Sequence, residues 1–169
     1  MSFFQKREPR PSGPGAEQAL PRAAACFTTP AMTRRAADWL GNLGGCRPLG
    51  ILSDDYDDVV WQCTAERADL LLLELDFSNG VEDKDVSSRC DIAVEVRKRR
   101  PKCRIYLACE ERHPEKLAAL EKAVELKLID GYCIGDLTAR QMRAWIAETS
   151  EAMGRQERHQ RDLRKGEQP

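Results

Sequence analysis

The chain has 169 residues, with 27 Lys and Arg against 28 Asp and Glu and a formal net charge of −1 at pH 7. That length suits one domain with tails, and the charge balance supplies no global field to draw in nucleic acid or an anionic membrane. No apolar run approaches the ~20 residues of a membrane-spanning helix, and Arg7, Pro9, Arg10 and Pro11 interrupt the place where a secretion signal would carry its apolar stretch, so a cytoplasmic protein is expected.

The charge is uneven along the chain. Residues 1–22 carry four basic and two acidic side chains and residues 151–169 five and four, which leaves a mildly acidic middle. The seven cysteines, Cys26, Cys46, Cys63, Cys90, Cys103, Cys109 and Cys133, are odd in number and form no C-x-x-C. A disulfide framework or zinc knuckle is therefore not expected. Reduced thiols acting as small hydrophobes are expected instead.

Residues 1–22 are rich in Pro and Gly, with Pro9, Pro11, Pro14, Pro21, Gly13 and Gly15, and read as a flexible lead-in. Ala23–Phe27 is a small-apolar run that predicts a first strand. Thr29 and Pro30 follow as N-cap and first helical residue, with Met32, Ala36, Trp39, Leu40 and Leu43 at helical spacing. Gly41, Gly44 and Gly45 end that helix. Leu49–Leu52 predicts the second strand. Ser53 can cap a helix with Asp54 and Asp55 in its first turn and Tyr56, Val59, Val60 and Cys63 inward. Leu70–Leu73 lacks alternation, which means burial on both faces, as in a central parallel strand.

A loop through Ser78, Asn79 and Gly80 leads to a helix over 86–100 with Ile92, Ala93 and Val96 inward, stopped by Pro101. Arg104–Cys109 predicts the fourth strand. Pro114 opens a helix with Leu117, Leu120 and Val124 on one face. Leu128–Ile134 predicts the fifth strand, and Leu137–Met153 the last helix, with Met142, Trp145, Ile146 and Thr149 inward. Residues 154–169 are nearly all polar after Gly154 and read as a frayed helix end or a disordered tail. The domain is thus expected over 23–153, and nothing in the tail predicts a DNA-binding unit. Strands alternating with helices imply a parallel sheet covered on both faces. The natural candidate is a three-layer flavodoxin-like α/β fold of strand order 2-1-3-4-5, with any site at the carboxyl ends of the strands.

Over about residues 23–150 the chain resembles the bacterial response-regulator receiver, the CheY-like family. Ala68-Asp69-Leu70-Leu71-Leu72-Leu73-Glu74 is similar to the family's third strand, Val94–Pro101 to the end of its third helix, and Gly131-Tyr132-Cys133-Ile134 to its fifth strand. A working receiver uses an Asp at the end of the third strand as phosphoacceptor and two acidic residues after the first strand to hold Mg²⁺. A hydroxyl after the fourth strand and a Lys after the fifth bind the phosphoryl oxygens.

The resemblance places Glu74 at the acceptor, Phe27 and Thr28 at the acidic pair, Ala108 at the hydroxyl and Gly135 at the Lys. All depart from the pattern, so the resemblance implies the fold without the reaction. The expected result is a pseudo-receiver that is not an enzyme, with no cofactor or metal. It would regulate through contact with a protein partner, a second copy of the chain included. Glu74 reads first as an ordinary exposed carboxylate at a strand end and second as a built-in mimic, a negative charge that holds a permanently active-like state.

Two alternatives stand beside this reading. A register shift of two makes Asp76 the phosphoacceptor, with Glu74 the other candidate. Thr28, Thr29 and Thr33 could hold a flavin phosphate as flavodoxins do, although Pro30 removes an N–H donor there. Asp54, Asp55, Asp57 and Asp58 are expected to solvate a helix start rather than bind metal. The run Arg97, Lys98, Arg99, Arg100, Lys102 and Arg104 reads first as a solvated helix end and second as a contact for an acidic partner or nucleic acid. By resemblance, Tyr132, Met142 and Trp145 are interface candidates. Burial against the sheet is the competing expectation for Trp145.

Overall fold

The computed structural model describes residues 19–53, 55–75, 86–109 and 114–166. Five strands alternate with five helices: β1 (Arg22–Cys26), α1 (Pro30–Leu43), β2 (Arg47–Gly50), α2 (Tyr56–Ala65), β3 (Leu70–Leu75), α3 (Val86–Arg99), β4 (Arg104–Cys109), α4 (Pro114–Glu125), β5 (Gly131–Ile134) and α5 (Ala139–Gly166). All strand pairs are parallel and the order is β2-β1-β3-β4-β5, as the alternation predicts.

The pleat sends successive side chains to opposite faces and so builds two cores. Ala23, Ala25, Leu70, Leu72 and Tyr106 pack against Leu40 of α1 and Met142 and Ile146 of α5. Ala24, Cys26, Leu71, Leu73, Ile105 and Leu107 pack against Val59 and Cys63 of α2, Ile92 and Val96 of α3, and Leu120 of α4. Every residue of β3 is buried, which is what its unbroken leucines require. The seven cysteines are all buried and free, and five of them lie in the larger core.

Local signals account for the helix starts. Thr29 Oγ1 accepts from the Met32 N–H at 3.2 Å, with Pro30 at the first position of α1. In α2 the cap is Asp55 rather than Ser53. The Asp55 carboxylate accepts from the Asp57 and Asp58 amides at 3.0 and 3.4 Å, while Ser53 Oγ accepts from the Asp55 N–H at 3.3 Å.

Several expected boundaries move. β1 is Arg22–Cys26 rather than Ala23–Phe27, and the Arg22 N–H donates to Asp69 Oδ2 at 2.8 Å. β2 is Arg47–Gly50 rather than Leu49–Leu52, because an exposed edge strand needs no apolar signal to pair. β5 starts at Gly131, since Lys127 turns left-handed (φ 57°) at the end of α4 and Leu128–Asp130 form the turn.

The largest correction is α5, which continues through 154–166 instead of ending at Met153. The extension is rich in helix formers, carries Glu151–Arg155 and Glu157–Arg161 pairs at i,i+4, keeps Gly154 buried and places its other glycine, Gly166, at the helix end. At about 1.5 Å per residue its 28 residues span roughly twice the length of the six-residue strands.

Candidate functional site

The strand register gathers the predicted positions at one end of the sheet. Cys26 pairs with Leu73, Glu74 with Ala108, and Ala108 with Cys133. The segments carrying Phe27 and Thr28, Glu74, Ala108 and Gly135 therefore all lie at the carboxyl ends of β1, β3, β4 and β5. Asp76 lies outside the described residues.

Glu74 corrects an expectation. It is 6 % exposed, a buried carboxylate rather than an ordinary exposed one. A charge in that position requires donors, and Thr28 supplies two. Its backbone N–H and its hydroxyl both donate to Glu74 Oε2, at 2.6 Å each. The loop that presents Thr28 is held from α1. Thr33 Oγ1, fully buried, accepts from the Phe27 N–H at 2.9 Å and donates to the Phe27 carbonyl at 3.3 Å. Phe27 itself packs onto the α1–α5 core.

The other positions offer no polar side chain. Ala108 is buried beside Glu74. Gly135 has φ 82°, and its N–H donates to the Cys109 carbonyl at 2.7 Å. A side chain is disfavoured at that φ, which suits the glycine found there. At the start of α1 the Met32 amide is already taken by Thr29 and Pro30 has none, which leaves little for a phosphate. Among the described residues no cluster of three or more His, Cys, Asp or Glu has metal-binding geometry.

No family model and no curated protein matches the sequence. Solved structures do match by shape. A response regulator receiver domain protein from Clostridium thermocellum has 14 % identity and a TM-score of 0.58 over 82 % of this chain and 98 % of its own. A chemotaxis protein from Vibrio cholerae has 12 % identity and a TM-score of 0.56 over 78 % and 99 %.

The chain has the CheY-like receiver fold.

An adenylate cyclase from Rhodopirellula baltica has the same shape, with 8 % identity and a TM-score of 0.61 over 85 % of this chain and 97 % of its own. Proteins of such different description share the receiver fold, so function has to be argued from the site.

On this receiver fold the three interface candidates separate. Met142 is fully buried in the α1–α5 core and presents no surface; its helical spacing already placed it inward. Trp145 is half-buried and stacks on Tyr106 of β4, with centroids 4.2 Å apart and an interplanar angle of 14°, so it packs on the sheet. Tyr132 is half-buried against the larger core.

The basic run is largely paired at the amino end of the sheet. Arg100 meets Asp69 at 3.1 Å, Arg104 meets Asp130 at 2.8 Å, Arg97 bonds the same Asp130, and Lys98 and Arg99 reach Glu95. Lys98 and Arg99 hold the Glu95 carboxyl below the usual carboxylate range. Asp69 and Asp130 anchor these arginines without any signal in the sequence, because partners distant along the chain carry no local pattern. Glu74 did carry a signal: a carboxylate inside a run of leucines is buried and needs a donor nearby. Among the described residues no helix is long and apolar enough to cross a membrane.

Proposed function

We propose that this domain is a pseudo-receiver, a regulatory protein-binding module in signalling or transcription control that works without phosphoryl transfer. The observation that carries the reading is the double donation from Thr28 to Glu74. A phosphoacceptor needs a carboxylate with a free lone pair, a metal beside it and a cation to receive the phosphoryl oxygens. At these positions the metal-ligand place holds a donor that occupies Oε2 of the carboxylate, the hydroxyl place holds Ala108 and the lysine place holds a left-handed Gly135. The arrangement favours a pocket locked by its own hydrogen bonds. A protein partner, or a second copy of the chain, then reads the outer surface.

Incubation with acetyl phosphate, with and without Mg²⁺, followed by intact mass, tests this directly. The expected mass is unchanged in both. A Mg²⁺-dependent gain of one phosphoryl group would overturn the reading, and its loss in Asp76→Asn or Glu74→Gln would name the acceptor.

A further inference from the structure

The amino end of the sheet carries a feature that the carboxyl-end pocket does not explain. The extended α5 runs past the α3–β4 turn at Pro101–Cys103 and the α4–β5 turn at Lys127–Asp130, and a groove opens between them. One part, of about 530 Å³, is lined by Arg97, Lys102, Arg104, Lys127 and Asp130 with Ala152 and Gln156 of α5. It continues, through the shared Lys102, Ala152 and Gln156, into a second part of about 370 Å³ that reaches Arg155 and His159.

The charge along this groove is one-sided. Asp130 is the only carboxylate lining these two parts among the described residues, and its oxygens already accept from Arg97, from Arg104 at 2.8 Å and from the Ile105 N–H at 2.8 Å. Lys102 and Lys127 are exposed and have no carboxylate partner among the described residues. On the other side of Lys102 the groove is balanced, because Asp69 and Glu157 lie there with Arg100. Cationic side chains beside Ala152 and Pro101 suit a chain that carries carboxylates with small apolar residues between them. Among the described residues no Phe, Tyr or Trp lines the groove, which disfavours stacked bases.

We propose that this groove docks an acidic peptide segment of a partner protein. The proposal deepens the reading of the domain as a binding module, and it involves none of the residues around Glu74. A chain that took up phosphate and still bound the peptide would break the first reading and leave this one.

The test uses the full chain and a fluorescein-labelled peptide repeating Glu-Ala-Glu-Leu, followed by anisotropy at low and high salt. Binding is expected to weaken with salt, to vanish for the Gln-Ala-Gln-Leu peptide, and to weaken about tenfold or more in Lys102→Glu/Lys127→Glu. The neutral Lys102→Gln/Lys127→Gln is expected to give a smaller loss in the same direction, and Lys122→Glu, on α4 outside the groove, no loss. Thermal melting checks that each variant is folded. Absence of peptide binding at low salt, an equal loss in Lys122→Glu, or displacement of the peptide by a weaker-charged oligothymidylate at lower concentration would each overturn the proposal, the last by making the ligand a nucleic acid.

Discussion

Oε2 of Glu74 accepts two hydrogen bonds from a single residue, the backbone N–H and the hydroxyl of Thr28, each 2.6 Å long. Hydrogen bonds to a charged group contribute more than neutral ones, and a buried carboxylate that loses a donor keeps its desolvation cost. Thr28→Val keeps the shape and removes one donor, so it should destabilise the fold by ~1.5–3 kcal/mol in urea denaturation. Thr28→Ser should cost less. A double-mutant cycle with Glu74→Gln should give a clear coupling energy. A Thr28→Val protein as stable as the parent would mean that the pair contributes nothing.

The Tyr106–Trp145 stack predicts where α5 derives its hold on the sheet. Trp145→Ala removes the stacked ring and its packing and should cost ~2–4 kcal/mol. Met142→Ala, at a fully buried position, should cost a similar amount, ~2–5 kcal/mol. Tyr106→Phe keeps the stack and loses only the 3.2 Å bond from the Tyr106 hydroxyl to Glu148, at ~1 kcal/mol or less. If Trp145 served mainly as an interface, Trp145→Ala would leave monomer stability intact and change sedimentation instead.

The buried thiols predict an alkaline limit. Burial raises the Cys63 thiol far above its ordinary value and pushes Cys103 up to about 12 from 9.0. The Tyr106 hydroxyl is raised too, by burial first and then by Glu148. A folded value above the unfolded one means that the native state binds more protons at high pH. The stabilising contribution is therefore complete below pH 9 and is lost as pH rises from there toward 12. Urea midpoints under reducing conditions should fall across that window, and Cys103→Ala should flatten the fall. At neutral pH the native thiols should react slowly with a disulfide reagent, and all seven should react on unfolding.

Protection along α5 should be graded. Its first half is anchored by Met142, Ile146 and Thr149, all buried, whereas residues 157–165 are all exposed. Isolated helical turns are marginal in water. Hydrogen exchange should be slow around 142–149 and fast beyond 157. Uniform slow exchange to the helix end would mean that a further contact holds the extension.

The sequence made the sheet order legible because its strongest signals coincide with the structure's strongest constraints. The leucines of β3 could only be central, and Thr29-Pro30 could only start a helix. Edges and ends were less legible. Arg47 and Pro48 pair through their backbone and carry no apolar pattern, so β2 was placed two residues late. The α5 extension is held by intrahelical charge pairs and propensity, which look the same as a polar tail. In the candidate site, the places of Thr28, Glu74, Ala108 and Gly135 followed from the resemblance to receivers. The Thr28–Glu74 bond did not, because it joins residues 46 apart in sequence.

The edge strand β2 has a consequence for how the protein behaves in concentrated solution. Arg47 and Ile51 turn their N–H groups inward, to the carbonyls of Pro21 and Ala25, so the intervening Pro48 and Gly50 face outward. Proline has no N–H to offer there. A stray strand arriving at this border finds a broken row of donors beside an exposed arginine, a poor template for growth into fibrils. Contacts made by this molecule should therefore depend on its side chains rather than on its open backbone, and the sheet should stay at five strands where a longer, smoother margin would invite a sixth.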